Sequence, residues 1–561
     1  MIDLKASPFF LSDEGLSWVE DILSQMSQEE KIGQLFCLTG MSTDPRELAE
    51  LVRRYRPGAY LFRPGEVDEI RNATQAMQAE SRLPLLFPCN LESGGNGLAN
   101  SGTFFAKPLA VAATGSTEHA KRLGLVCARE AAMLGCNWSL APIIDIDYNW
   151  RNPITNVRTF GADSDRVLKM ASAYMDGVKE SGYPMAVCLK HFPGDGVDER
   201  DQHLLPTINS LSAEEWFKAY GHIYQTLINK GASAVMAGHI LQPSLEREIQ
   251  SAITDGELLP ASHSKNLLTG ILRDRMGFNG VIITDATPMV GFSALRTRSE
   301  ALRLAVNAGA DMIMFCKNIE EDYAAIRDGL HTGEISEERL NDAVLRQLAL
   351  KASLGLHRSR DIPTDANWID CEEHRAWAKA CADDAVTLIK DEESLLPLSP
   401  QKTPRVRLTI LGEKSDGGFG DNASIQKGLK KKLEEKGFDV HLYDYGSMEQ
   451  FEIFTAGISD LQNKFDLSII AANVATGSNH TTRRLDWITL MAADAPWYCR
   501  DIPTVFISFC NPYHLFDIPY VGCYVNAYTS NSFTVESIVE KLIGESGFTG
   551  VSPVNPMPWR K

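Results

Sequence analysis

Residues 280–285 read Gly-Val-Ile-Ile-Thr-Asp: a glycine, four β-branched residues and then a carboxylate. β-Branched side chains fit a pleated strand. A run without polar alternation is a strand covered on both faces, as in a parallel sheet. Seven other short runs have the same character: 33–40, 58–64, 84–90, 137–146, 185–192, 232–240 and 310–316. Segments of helical period lie between them, such as EHAKRLGLVCAREAAMLG (118–135) and AEEWFKAYGHIYQTLINKG (213–231). Eight strand–helix units in about 350 residues fit an α/β fold built as a (β/α)8 TIM-type barrel. An open, doubly wound sheet shares this local pattern and remains the structural alternative.

The helical stretch 337–356 closes the barrel, so the catalytic domain is expected over 1–356. Residues 357–400 read as a linker and lead-in. A C-terminal α/β domain, an αβα sandwich-like layer, is expected over 401–561. There RVRLTIL (405–411), DVHLYDY (439–445), DLSIIAANV (466–474), PTVFISF (503–509) and VGCYVNAY (521–528) are strand-like, with helical stretches such as 424–437 between them.

Composition narrows the function. Of 561 residues, 44% are hydrophobic and 23% charged, which is ordinary globular usage. The 55 basic and 73 acidic residues leave a net charge of −18. A surface so acidic argues against nucleic acid and anionic membrane as partners, though not against a small anion held by a few local cations. No apolar run reaches the roughly 18 residues of a membrane helix. The N-terminus lacks a basic segment followed by a long apolar one, so no secretory signal is read. Eleven cysteines without a Cys-x-x-Cys pair read as reduced thiols in a cytoplasmic protein. No cluster has metal-ligand spacing, and no metal or cofactor is implied.

Barrels carry chemistry at the C-terminal ends of their strands. Here those ends hold Asn90-Leu91-Glu92, Asp145 and later Arg158, Lys190-His191, His239 and Asp285. Alone, each is as readily a salt bridge or, for Asp285, a helix N-cap; the clustering points to a site. The segment KHFPGDGVDERDQH (190–203) leaves its strand through two glycines and a proline, as a mobile or sharply turned loop. Within it, Asp201 and His203 are spaced to pair, the carboxylate fixing the imidazole tautomer. A carboxylate with a separate proton donor is the minimum equipment for retaining glycoside cleavage.

These motifs resemble glycoside hydrolase family 3, in its β-N-acetylglucosaminidase branch. The likeness rests on KHFPG with D-x-H (190–203), VMAGHI (235–240), GFNGVIITDATPM (277–289), NPITNVRTFGADSDRV (152–167), KASLGL (351–356) and AVTLIKDEESLLPL (385–398). It implies a covalent glycosyl–aspartate intermediate on Asp285 and an acid/base at His203 supported by Asp201. It further implies sugar contacts at Arg158, Lys190 and His191, with His239 facing the same pocket. Two departures stand out. Asp195 replaces the second histidine of the family's usual KHFPGHG, and Asn90 and Ser93 interrupt the strand-three motif. Asn90 can still bind a sugar hydroxyl, so the hydroxyl pattern or N-acyl tolerance differs more readily than the reaction.

A carboxylate acid/base is anionic while the glycosyl–enzyme waits for an acceptor, and repels phosphate. A histidine is neutral at that moment and does not. The expectation is therefore a β-N-acetylglucosaminide or β-glucoside phosphorylase, with plain hydrolysis as the alternative. Arg200, beside the dyad, is a candidate phosphate contact; an ordinary exposed loop arginine is the other reading. The expected partners are a small carbohydrate and inorganic phosphate, with oligomeric state open. Two rivals remain. One is a non-catalytic sugar-binding protein. The other is a nucleotide enzyme, from Gly418-x-Gly420-x-x-Ala423 after a strand and Asp444 ending the next.

Overall fold

The computed structural model describes residues 2–364, 367–412, 425–443, 457–487 and 494–557. Eight parallel strands occupy the eight expected runs: β1 Phe36–Gly40, β2 Ala59–Phe62, β3 Pro88–Cys89, β4 Trp138–Ser139, β5 Ala186–Phe192, β6 Ala234–Ala237, β7 Val281–Thr284 and β8 Ile313–Met314. They form two partial sheets, β8-β1-β2 and β3-β4-β5-β6-β7. Bridges join the partial sheets at both edges, Ala59 with Leu86 and Ile283 with Met312. The ring is thus closed, and the open-sheet alternative fails. β7 is buried along its whole length, as its unbroken β-branched run requires.

The helix expected over 213–231 is interrupted. Ala213–Trp216 and His222–Asn229 are α-helical, and Phe217–Gly221 makes a π turn between them. This element buttresses the loop after β5. The Trp216 indole donates to the Pro193 carbonyl at 2.6 Å, and the Tyr220 hydroxyl to that of Asp195 at 2.6 Å.

The second domain has six described strands: β9 Thr387–Asp391, β10 Arg405–Leu411, β11 Asp439–Leu442, β12 Leu467–Ala472, β13 Thr504–Ser508 and β14 Cys523–Asn526. Their order is β9-β14-β13-β12-β10-β11, with only β9 antiparallel to its neighbour. The lead-in 357–400 holds ordered structure of both kinds. Its helix Glu372–Ala385 presents His374 to Glu130 of the barrel, Nδ1 to Oε1 at 2.7 Å, and its β9 forms the edge of the second sheet. Gly418, Gly420, Ala423 and Asp444 lie outside the described residues.

The two domains meet beside the barrel mouth. The Tyr513 hydroxyl donates to Asp147 at 2.6 Å, and Trp150 stacks on Phe516 at 4.6 Å between ring centroids. The Arg484 guanidinium lies over both rings. The Thr482 hydroxyl donates to the Arg151 carbonyl at 2.8 Å.

Candidate active site

Asp285 leaves β7 with its N–H still bonded to Ala237 of β6, at 2.8 Å, so its carboxylate emerges at the C-terminal mouth. Oδ1 accepts from the Ala286 N–H at 2.7 Å, and the residue is 8% exposed. Burial pushes the carboxyl up. The imidazoles of His191, His239 and His203 outweigh that and hold it below its ordinary value. The group is ionised at neutral pH, as a nucleophile must be.

One wall of the mouth is a buried charge network. Glu92, just after β3, accepts a two-pronged contact from Arg158, at 3.0 and 2.9 Å, and a bond from Lys190 Nζ at 2.8 Å. Lys190 also reaches Asn90 Oδ1 at 3.2 Å, and Asn90 itself is exposed. Burial of Glu92 opposes ionisation. The Arg158 and Lys190 cations overcome it and hold the carboxyl well below the usual range. His191 Nδ1 lies 2.7 Å from Asp145 Oδ2; a carboxylate only accepts, so Nδ1 carries the proton. Its Nε2 then faces Asp285 Oδ2 at 3.9 Å.

The sequence puts His239 in the same pocket, and the structure gives it a different footing from the other contacts. It is fully buried, and both ring nitrogens are engaged by protein. Nε2 lies 3.2 Å from the Ala286 carbonyl and Nδ1 2.9 Å from the Ser262 hydroxyl. A carbonyl only accepts, so Nε2 holds the proton and Nδ1 accepts from serine. Desolvation pushes this imidazole down to about 4. It backs Asp285 and leaves no free polar atom for a sugar.

The loop after β5 carries the dyad. It turns sharply at Gly194 and Gly196, whose φ angles of 119° and 105° suit glycine alone. A Cβ at Gly196 would lie 1.8 Å from the Ile146 carbonyl. Beyond the turn the loop is tied down rather than loose. Asn152 bonds Asp195 and the Asp198 carbonyl, each at 2.8 Å, and Gln202 accepts from the His239 N–H at 2.8 Å. His203 Nδ1 donates to Asp201 Oδ1 at 2.7 Å, and the His203 N–H reaches the same oxygen at 2.8 Å. Asp201 is buried, whereas the His203 side chain keeps 22% exposure.

Asp195, where the family has histidine, is a buried carboxyl. Its own N–H donates to Asp145 Oδ1 at 2.8 Å. Burial and the Asp145 charge push it up to about 7. Arg200 lines a cavity of about 630 Å³ beside Asp201, together with Arg151, Glu199, His480 and Arg484. Its guanidinium is already forked onto Asp198, Nε and Nη2 bonding at 2.6–3.0 Å. It therefore offers an anion less free charge than the sequence implies.

Glu92 and Asp145 are legible only as polar residues at strand ends; their partners come from other strands and from the segment after β4. Among the described residues no group of three or more His, Cys, Asp or Glu could hold a metal ion, and no helix is long and apolar enough to cross a membrane.

A closed (β/α)8 barrel whose mouth gathers an ionised carboxylate, a His–carboxylate pair and fixed cations has the equipment of a glycoside-cleaving enzyme. The model of the glycosyl hydrolase family 3 N-terminal domain matches residues 27–350. A beta-N-acetylglucosaminidase/beta-glucosidase from Cellulomonas fimi is 41% identical over 558 residues, covering 99% of this chain and 98% of the relative. The solved structure of the beta-glucoside phosphorylase BglX bound to 2FGlc superposes with a TM-score of 0.93 at 44% identity, covering 99% of this chain and 98% of that one. A family 3 beta-N-acetylglucosaminidase from Paenibacillus sp. str. FPU-7 shares the fold, with a TM-score of 0.81 at 23% identity over 95% of this chain and 99% of that one. The chain belongs to glycosyl hydrolase family 3 and is an enzyme of the glycosidase class.

Proposed function

We propose that the chain cleaves terminal β-glucosides or β-N-acetylglucosaminides with retention and passes the sugar to inorganic phosphate. Asp285 attacks the anomeric carbon and forms a glycosyl ester, while His203 gives its Nε2 proton to the departing oxygen. Asp201 keeps the His203 Nδ1 proton in place and stabilises the imidazolium that precedes transfer. Arg158, Lys190, His191 and Asn90 meet the sugar hydroxyls.

The observation that carries the reading is the acid/base itself. After protonating the leaving group His203 is neutral, so the acid/base side chain itself sets no negative charge against an incoming phosphate, and the Asp201 carboxylate stays behind it on Nδ1. Phosphate then attacks, its oxygen forms the new bond to the anomeric carbon, and the Asp285 carboxylate leaves. The names of the two most similar relatives given above fit both substrate and acceptor. Eleven free cysteines, nine of them buried, accord with a reducing cytoplasm, where phosphate is at hand.

The test is product analysis with aryl β-glucoside and aryl β-N-acetylglucosaminide, each with and without phosphate. The expected outcome is faster turnover and a β-sugar 1-phosphate when phosphate is present. Free sugar alone, at a rate phosphate does not change, would leave a plain retaining hydrolase.

A further inference from the structure

The Asp201 carboxylate has a third donor, and it comes from the other domain. The backbone N–H of Asn479, 278 residues away in sequence, donates to Asp201 Oδ2 at 2.6 Å. Oδ1 is committed to His203, so this bond fixes the second oxygen and with it the plane of the carboxylate. The donor is aimed by an uncommon backbone: Asn479 has φ = 66°, in the left-handed region that asparagine and glycine tolerate best. The flanking chain is anchored to the barrel by Thr482, and His480 and Thr481 line the cavity beside the dyad.

We propose that Asn479 is a positioning residue for proton transfer: through its N–H, the second domain sets the aim of Asp201 and so of His203. The barrel alone holds a dyad with one carboxylate oxygen untethered. The leaving-group oxygen must lie along the line of the His203 Nε2–H bond, so a carboxylate free to rotate spreads that line over orientations that do not transfer the proton. Substrates that need little protonation are indifferent to this. The inference rests on His203 being the acid, as proposed above.

The experiment compares full-length wild type, Asn479→Gly, Asn479→Pro and His203→Ala on 2,4-dinitrophenyl and 4-methoxyphenyl β-glucosides, with circular dichroism and thermal unfolding on each. Proline removes the N–H and cannot adopt φ = 66°. Glycine keeps both. Asn479→Pro is expected to lose about tenfold more kcat/KM on the methoxyphenyl than on the dinitrophenyl substrate, with Asn479→Gly close to wild type on both. Equal losses on the two substrates, or none, would overturn the proposal if His203→Ala still discriminates between them. If His203→Ala does not discriminate, the acid assignment fails instead. Should Asn479→Pro not fold, Asn479→Val keeps the N–H but penalises the left-handed backbone, and it is read in the same way.

Discussion

The two sides of the pocket are built on opposite plans. The wall proposed to hold the sugar is a lattice of ion pairs among β5 and the segments that follow β3 and β4, with the Lys190 side chain 3% and that of Glu92 14% exposed. The side proposed to receive the acceptor hangs on a loop, keeps His203 partly open and borrows its last hydrogen bond from another domain. Charges fixed by one another would suit a sugar whose hydroxyls must be met the same way each turnover. A partly open imidazole that gives up its Nε2 proton and is then uncharged suits the proposed sequence, in which an alcohol leaves first and a different nucleophile enters next. Mutations on the two sides should therefore fail in different ways.

Asp285, between them, should show the largest effect. Asp285→Ala is expected to lower kcat by about ten-thousandfold or more for every substrate. A 2-fluoro glycosyl donor should label this residue in the wild type, read by peptide mass; a label elsewhere breaks the scheme. Next comes the contrast itself. His203→Ala should cost about a thousandfold on glycosides with poor leaving groups and about tenfold or less on dinitrophenyl glycosides. Glu92→Gln strips Lys190 and Arg158 of their shared anion and should cost about a hundredfold on both. A leaving-group bias in Glu92→Gln would erase the distinction between the two sides.

Asp195 gives a smaller effect, on stability. Its carboxyl lies at about 7 in the folded protein against an ordinary 3.8. Between those values the folded chain holds a proton that the unfolded chain releases, so stability falls as pH rises through the window and stays lowered above it. Asp195→Asn should raise the melting temperature by a few degrees at pH 8 and leave it unchanged at pH 3, below the window. The least effect is expected at Arg200. Because Asp198 already holds its guanidinium, Arg200→Ala should raise the phosphate concentration needed by about threefold or less, with water-only turnover unchanged.

Much of this was legible in the chain. Continuous apolar runs located all eight barrel strands, because a strand buried on both faces leaves no polar alternation to confuse it with a surface element. Asp285, Lys190 and His191 stood out as charges at the ends of such runs. The pairing of Asp145 with His191 and of Glu92 with Arg158 did not, since parallel strands bring together residues 46 and 66 positions apart. β9 escaped notice because TLIKD is half polar, as an antiparallel edge strand with one open face permits. Asn479 left no signal at all: a backbone N–H has no residue type, and the fold alone decides where it points.

The seam where Trp150, Phe516 and Arg484 stack, and where Tyr513 meets Asp147, bears on how this enzyme can be recombined with its relatives. Asp147 is buried and its carboxyl pushed up to about 6 by that burial, against the pull of the Thr155 and Tyr513 hydroxyls. A chimera that joins this barrel to a foreign second domain without equivalents of Tyr513 and Phe516 leaves Asp147 Oδ2 without its donor and Trp150 without its stacking partner. The two domains are not interchangeable cassettes; a working graft has to carry Asp147, Trp150, Arg484, Tyr513 and Phe516 as one transplanted set.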